Sequence, residues 1–382
     1  MKNKNCILVF IANVDKWGAE RSVCSLCKFL QANNERVIVI IPRKGGIIEL
    51  LEDSGIEYSI IPYSLRIRNA NEKISPRRFL RRLINHVRDI CVVYHRIKEM
   101  GVSPKLVYSA TLNFCVGIEY AHLISVPHVQ HIRENIDAFG YKFIWGYKNT
   151  MKYISKNSVR IICTCNTILN RYLADVDSSK IEAIYNGTPI VKEVPVKIIG
   201  DMINIIHIAR YMEDKRIMDS LQAVRILIHN GISNIHLDIY GSGPDESKYK
   251  DYILKNNLSD FITLKGFVSS IDYAPYHIGL MTSTFEAFAR STLDYMNNGL
   301  AVIASNTGGN IEQVVNGVTG LLYEVHNPHD LAKQMECLCL NHAEILRMGA
   351  NGRERYLANF TQEKYVSSVG GRILSILKNG NL

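Results

Sequence analysis

The stretch from Met281 to Glu324, MTSTFEAFARSTLDYMNNGLAVIASNTGGNIEQVVNGVTGLLYE, constrains the fold more than any other part of the chain. The apolar run ending at Met281 predicts a buried parallel strand. A loop carrying Glu286 follows, then a helix starting at Ser291 or Thr292 and stopping at Gly299. Leu300–Ala304 predicts the next strand, Thr307-Gly308-Gly309 a turn, Glu312 lies in a short helix, and Gly320–Tyr323 closes as a strand. Strand, loop, helix, strand, glycine turn, helix, strand is the grammar of an open α/β sheet. Such sheets bind ligands beyond the carboxyl ends of their strands.

Two acids, Glu286 and Asp294, stand eight residues apart in this stretch. Carboxylates accept hydrogen bonds from sugar hydroxyls, and the expected place of Asp294, one turn or less into its helix, sets its charge near the positive helix end. Taken alone, Asp294 reads as a solvated helix residue and Glu286 as a loop charge. Their surroundings read Glu286-Ala-Phe-Ala289, Asp294, Gly299-Leu-Ala-Val-Ile-Ala-Ser305, Gly308-Gly309, Glu312 and Gly317-Val-Thr-Gly320. That order resembles the donor-site signature of the retaining glycosyltransferases of family 4, which have the GT-B fold. The chain departs from the signature at Ala287 and Ala289 (both glycine there), at Ala301 (proline) and at Asp294 (glutamate).

At 382 residues the chain exceeds one typical core, so two domains are expected. The resemblance implies an α/β, GT-B architecture: two Rossmann-like domains facing across a cleft. Residues 1–188 form the acceptor-side domain, 189–203 a linker holding Pro189 and Pro195, and 204–360 the nucleotide-sugar donor domain. Residues 361–382 form a helix packing back on the first domain. Hydrophobic residues at 47% and charged residues at 21% describe a globular protein, and no apolar run is long enough to span a bilayer. The short run Cys6–Ala12 is read as a first strand and not as a leader, because Asp15 interrupts it. A cytoplasmic location is expected, peripheral at the inner membrane face. The nine cysteines are odd in number and scattered; Cys24 and Cys27 have metal-like spacing without a second pair, so reduced core thiols are expected.

Charge is uneven. Residues 1–190 hold 27 Lys+Arg against 16 Asp+Glu, a net +11, whereas 191–382 hold 18 against 20. A basic first half points to an anionic partner there. Arg66, Arg68, Lys73, Arg77, Arg78, Arg81, Arg82, Arg88, Arg96 and Lys98 crowd residues 66–98. From Pro76 onward, Phe79, Leu80, Leu83, Ile84 and Val87 recur at helical spacing. A basic amphipathic helix has two readings: a domain helix with a solvated face, or an anionic membrane surface contact. Nucleic acid is not expected, since no recognised module accompanies the charge.

Elsewhere in the first half, Trp17-Gly18-Ala19-Glu20 follows the first strand and opens a helix, a ready anion site. The resemblance makes Gly18 a donor-side residue. It also makes His131, Arg133 and Glu134, at the end of the strand from Val126, acceptor-side candidates, with His131 among the catalytic candidates. Asp175-Val-Asp177 is not read as a metal motif, being far in sequence from the donor signature.

In the second half, Arg210 and Lys215 stand five apart after the strand Asn204–Ala209. The family carries this pair on the donor diphosphate. Negative charge grows on that leaving group as the glycosidic bond breaks, and two cations stabilise it. By the same resemblance Phe267 lies beside the base, Glu286 holds the sugar hydroxyls, and Asp294 the ribose. Phe288, Ala289 and the amides near Gly308 and Gly309 line the donor. Glu286, Arg210, Lys215 and His131 are thus the catalytic candidates, with no metal and no cofactor beyond the nucleotide-diphosphate sugar. The implied reaction is retaining transfer of a hexose or N-acetylhexosamine, UDP-sugar favoured, to a glycan or lipid-linked acceptor in cell-surface polysaccharide synthesis. The altered signature also admits a non-catalytic nucleotide-sugar-binding scaffold of the same fold. A basic peripheral membrane adaptor is a third reading.

Overall fold

A computed structural model describes residues 4–15, 18–72, 75–113, 116–138 and 140–379. Trp17 and Lys73, singled out above, lie outside the described residues. The chain forms two compact units, Met1–Asn186 with Gln362–Leu382, and Gly187–Thr361. Both are parallel-sheet α/β folds.

The first unit carries β1 (Asn5–Phe10), β2 (Val37–Ile41), β3 (Glu57–Ile60), β4 (Ile67–Asn69), β5 (Ser103–Ser109), β6 (His128–Ile132), β7 (Tyr141–Phe143), β8 (Arg160–Cys163) and β9 (Ile181–Ala183). Seven of these pair in the order β3-β2-β1-β5-β6-β8-β9. Central strands are uniformly apolar because helices cover both sheet faces: β2 is Val-Ile-Val-Ile-Ile and wholly buried. Order reverses between β1 and β5, so a crevice opens there beyond the carboxyl ends. The helix Gly18–Ala32 buries Val23, Cys24, Leu26, Cys27 and Leu30. Cys24 and Cys27 are thus core residues, and burial pushes the Cys24 thiol up to about 11. The last helix, Gln362–Asn379, packs on this same unit through Tyr365, Val366, Val369 and Ile373. Gly370 has no room for a Cβ, which would come within 2.4 Å of the Phe29 ring.

The long helix Pro76–Glu99 starts with Pro76 in its first turn and with the Ser75 hydroxyl accepting from Arg78 N–H. Several elements escape the sequence reading, among them a ribbon and a helix. β4 and β7 pair as a separate antiparallel ribbon, and Tyr147–Asn157 is a helix.

The second unit carries β10 (Ile203–Ile208), β11 (Ile235–Tyr240), β12 (Ile262–Gly266), β13 (Ile278–Met281), β14 (Ala301–Ser305) and β15 (Gly320–Tyr323). They pair in the order β12-β11-β10-β13-β14-β15, all parallel. The reversal falls between β10 and β13, and the loops leaving those two strands flank the resulting crevice. Residues 189–203 belong with this unit: Asn297 holds the Pro189 carbonyl and the Val191 amide, and Lys197 reaches the Tyr273 carbonyl. Among the described residues no helix is long and apolar enough to cross a membrane.

Candidate active site

Topology alone brings the loops after β10 and β13 side by side, although their residues lie some seventy positions apart. Backbone and side chain then tie them. Thr284 N–H donates to the Asp214 carbonyl at 2.8 Å, and the Thr282 hydroxyl donates to the Lys215 carbonyl at 2.7 Å. Lys215 ends a short 3-10 turn, Glu213–Lys215, and Arg216 follows in the left-handed region at φ 53°. A non-glycine residue there costs about 1–3 kcal/mol and persists only where neighbours hold it. Here the Arg216 guanidinium meets the buried Asp219 carboxylate at 2.6 Å.

The result is a contact between two of the expected site residues. Lys215 Nζ lies 2.6 Å from Glu286 Oε1. Burial pulls Lys215 down most strongly, but the Glu286 carboxylate beside it and Asp214 at 3.5 Å together outweigh burial and leave its pKa raised. Arg210, exposed at the exit of β10, is close enough to oppose that rise, so a second positive charge faces the same spot. Glu286 is further held by the Ser283 hydroxyl at 2.8 Å. The Ser283 carbonyl in turn accepts from Ser305, whose hydroxyl accepts from Asn310.

Behind Lys215 lies His207, buried and pushed down to about 3 by desolvation and then by the Lys215 charge. Its tautomer follows from its neighbours. Thr282 uses its one hydroxyl proton on the Lys215 carbonyl, so at the 3.3 Å contact His207 Nε2 donates and Thr282 accepts. His207 Nδ1 then accepts from Ser220 at 3.1 Å. A neutral imidazole with both nitrogens engaged holds the floor of the site in place.

The glycine pair has a packing role. A Cβ on Gly308 would lie 2.2 Å from the Glu286 carbonyl oxygen, and one on Gly309 would lie 2.0 Å from that of Ala287. The Gly309 amide donates to the Glu286 carbonyl at 2.7 Å. That amide, expected to face the donor, is therefore engaged in fixing the Glu286 loop. Phe288 is buried edge-on against Phe360, and the Ala289 carbonyl accepts from Gln313. Asp294 departs from its expected place. The helix starts at Arg290, so Asp294 lies past the first turn, where the dipole effect has faded. It is half-buried, near Tyr273, Tyr295 and Tyr356, whose hydroxyls its charge pushes up after burial has done so more strongly. Phe267 stands 63% exposed beyond β12.

The remaining candidates lie in the first unit. Gly18 opens the helix after β1, and its carbonyl accepts from Ser22. His131 ends β6 fully buried, with Tyr108 Oη 2.5 Å from its Nδ1. Arg133 also points a guanidinium nitrogen at Nδ1, and guanidinium only donates, so Nδ1 accepts and the proton sits on Nε2. Burial, then Arg133, keeps this imidazole neutral. Nε2 has no hydrogen-bond partner among the described residues. As placed, His131 is a donor and not a base. Arg133 is buried and spans Asn186 at 3.2 Å and Tyr365 at 2.7 Å, which fastens the last helix to the sheet. Glu134 accepts from the Thr111 hydroxyl and the amides of Leu112 and Arg133, and burial raises its pKa.

Sequence reading missed Ser283, His207, Thr282 and Gln313. Only Thr282 and Ser283, just before Glu286 on the same loop, left a local signal.

Comparison with known proteins agrees with this architecture. A family model described as Glycosyl transferases group 1 matches residues 193–355, and one described as Glycosyltransferase Family 4 matches residues 18–191. An uncharacterized glycosyltransferase of Methanocaldococcus jannaschii, MJ1178, is 29% identical over 67% of this chain and 70% of its own length. The poly(ribitol-phosphate) alpha-N-acetylglucosaminyltransferase of Staphylococcus aureus is 26% identical over 75% of this chain, which spans 55% of that protein. Among solved structures, Anabaena Alr3699/HepE in complex with UDP superposes with a TM-score of 0.78 at 16% identity, covering 97% of this chain and 100% of that one. Two parallel-sheet units, each matched by its own model, make this chain a member of the group 1 glycosyltransferases of the GT-B fold.

Proposed function

We propose that the protein transfers a hexose or N-acetylhexosamine from a nucleoside-diphosphate sugar, with UDP favoured, to a glycan or lipid-linked acceptor, retaining the anomeric configuration. The Lys215–Glu286 contact carries this reading: a cation and a carboxylate preset at 2.6 Å at the crevice of the second sheet. The bond from the anomeric carbon to the diphosphate breaks, and a bond from that carbon to the acceptor oxygen forms on the same face. The acceptor's proton passes to the departing phosphate. Lys215 and Arg210 stabilise the charge that grows on the diphosphate, which is the role a divalent cation plays elsewhere. Glu286, steadied by Ser283, accepts from donor sugar hydroxyls, and Asp294 accepts from the ribose.

The names of similar proteins support the donor class: the Staphylococcus aureus relative acts with N-acetylglucosamine on poly(ribitol-phosphate), and Anabaena Alr3699/HepE binds UDP. A cytoplasmic site for the reaction belongs to the same reading. The deciding experiment incubates the purified chain with UDP-glucose and UDP-N-acetylglucosamine, with chelator present, and follows UDP release. Release with chelator, with water taking the sugar in place of the acceptor and the axial anomer appearing first from an axial donor, is the expected result. Donor binding without release over long incubation would leave the non-catalytic scaffold as the reading, the one that Ala287, Ala289 and Asp294 favour.

A further inference from the structure

The helix Pro76–Glu99 has two halves with different surroundings. Its second half lies on the sheet: Val93 and Ile97 join the core under β1 and β2, and Asp89 accepts from Ser64 N–H, just past β3. The helix leads into β5, so it runs from the carboxyl edge of the sheet toward the amino edge. Residues 76–88 therefore project beyond the strand ends, by about 20 Å at the helical rise per residue. Among the described residues, none of 76–88 joins the core beneath β1 and β2.

One side of this overhang is braced. Arg82 meets Glu72 at 3.0 Å, and His86 sits edge-on to Trp145 at 4.3 Å and 3.0 Å from Glu119. About a third of a turn round the helix, Phe79, Leu80, Leu83, Ile84 and Val87 form a continuous apolar stripe. Leu80, Ile84 and Val87 are 59%, 60% and 57% exposed. Exposed Arg77, Arg81 and Arg88 border the stripe, and Pro76 to Arg88 holds no acidic residue.

We infer that this overhang is a docking surface for an anionic lipid bilayer. Apolar side chains flanked by arginines on one helix face are the chemistry of an interfacial helix: the stripe enters the headgroup boundary and the guanidinium groups meet lipid phosphates. A water-soluble acidic partner would match the charge but leave the five apolar side chains unexplained. Docking would set the carboxyl edge of the first sheet, where His131 and Arg133 sit, close to the lipid surface. It goes beyond the transfer reaction and does not depend on it.

The test is co-sedimentation of the full chain with phosphatidylcholine vesicles and with vesicles containing phosphatidylglycerol. Binding is expected only to the anionic vesicles and is expected to weaken with salt. Arg77→Gln with Arg81→Gln should weaken partitioning about thirtyfold. Leu80→Ser with Ile84→Ser should weaken it about tenfold or more while the arginines remain. Equal binding to both vesicle types, no binding, or unchanged binding by both variants overturns the inference. So does a wild-type dimer in light scattering that Leu80→Ser with Ile84→Ser dissolves, since the stripe would then face a second copy. UDP release in solution, without vesicles, is read on the same variants and should not change. Loss of vesicle binding with UDP release intact separates this inference from the proposed reaction.

Discussion

The two sheets share one strand order over six strands and present opposite chemistry at their carboxyl edges. In the second unit the strands flanking the reversal deliver a cation and a carboxylate, Lys215 and Glu286, that remain partly accessible at 14% and 20% side-chain exposure. In the first unit the end of β6, one strand past the reversal, delivers His131 and Arg133 into a closed network with Tyr108, Asn186 and Tyr365. A parallel sheet fixes where a ligand can approach. Whether that place does chemistry or holds the fold together depends on which side chains emerge and how they are partnered. The ion pair can exchange partners with an incoming donor; the buried network is already satisfied, apart from atoms such as His131 Nε2 and Arg133 Nε.

The largest expected effect tests the chemical side of this contrast. Glu286→Ala and Lys215→Ala should each lower UDP release about a hundredfold to a thousandfold, the scale of one lost charge-stabilising group. Their circular dichroism should match the wild type. Undiminished release by Glu286→Ala would remove it from the reaction.

Arg133→Leu tests the other side. It strands the Asn186 and Tyr365 partners and frees the last helix, so a loss of about 3 kcal/mol in urea unfolding is expected. The donor affinity of the variant that remains folded should change little. A variant as stable as the wild type would mean that the clamp contributes nothing to holding the helix.

Acid should blur the contrast, because both units bury neutral histidines: His128 and His131 in the first, His207 and His277 in the second. Burial holds His207 down to about 3 against an ordinary 6.5. The folded state then binds fewer protons than the unfolded state between those values, so stability is full above the ordinary value and falls as pH drops below it. For His207 alone the loss approaches about 2 kcal/mol near pH 5. Urea midpoints measured from about pH 8 to about pH 5 should fall, and His207→Gln should flatten part of that fall.

Much of the second unit was legible because its signals are local. Apolar runs end at glycines, and Gly299, Gly308 and Gly320 all take positive φ. Arg210, Lys215 and Glu286 were legible through a resemblance, and the contact between Lys215 and Glu286 is what parallel pairing of β10 with β13 then enforces. Apart from helices such as Tyr147–Asn157, what escaped depends on distant partners or very short elements. β4 and β7 are three residues each and pair only with each other, so neither shows a period. His207 gains its role from Thr282 and Ser220, which only the fold brings to it. The Gly309 amide was read as facing a ligand because nothing local shows that the Glu286 carbonyl takes it. The open half of helix Pro76–Glu99 looked like any amphipathic helix, because the sequence does not reveal where the sheet beneath it stops.

The smallest expected effect concerns Asp294. Its helix position gives it little help from the dipole, and its carboxylate sits among tyrosines, with Tyr295 bonded to the backbone of Ile208. A longer acid should reach further past those rings toward a ribose. Asp294→Glu is therefore expected to tighten UDP binding about threefold, less than the worth of one ordinary hydrogen bond, with turnover shifting by no more. Calorimetric titration with UDP and with uracil alone distinguishes the outcomes. A gain for UDP only supports a carboxylate on the ribose. No gain for either would detach Asp294 from the donor and leave Glu286 as the only acid of the pair that acts on it.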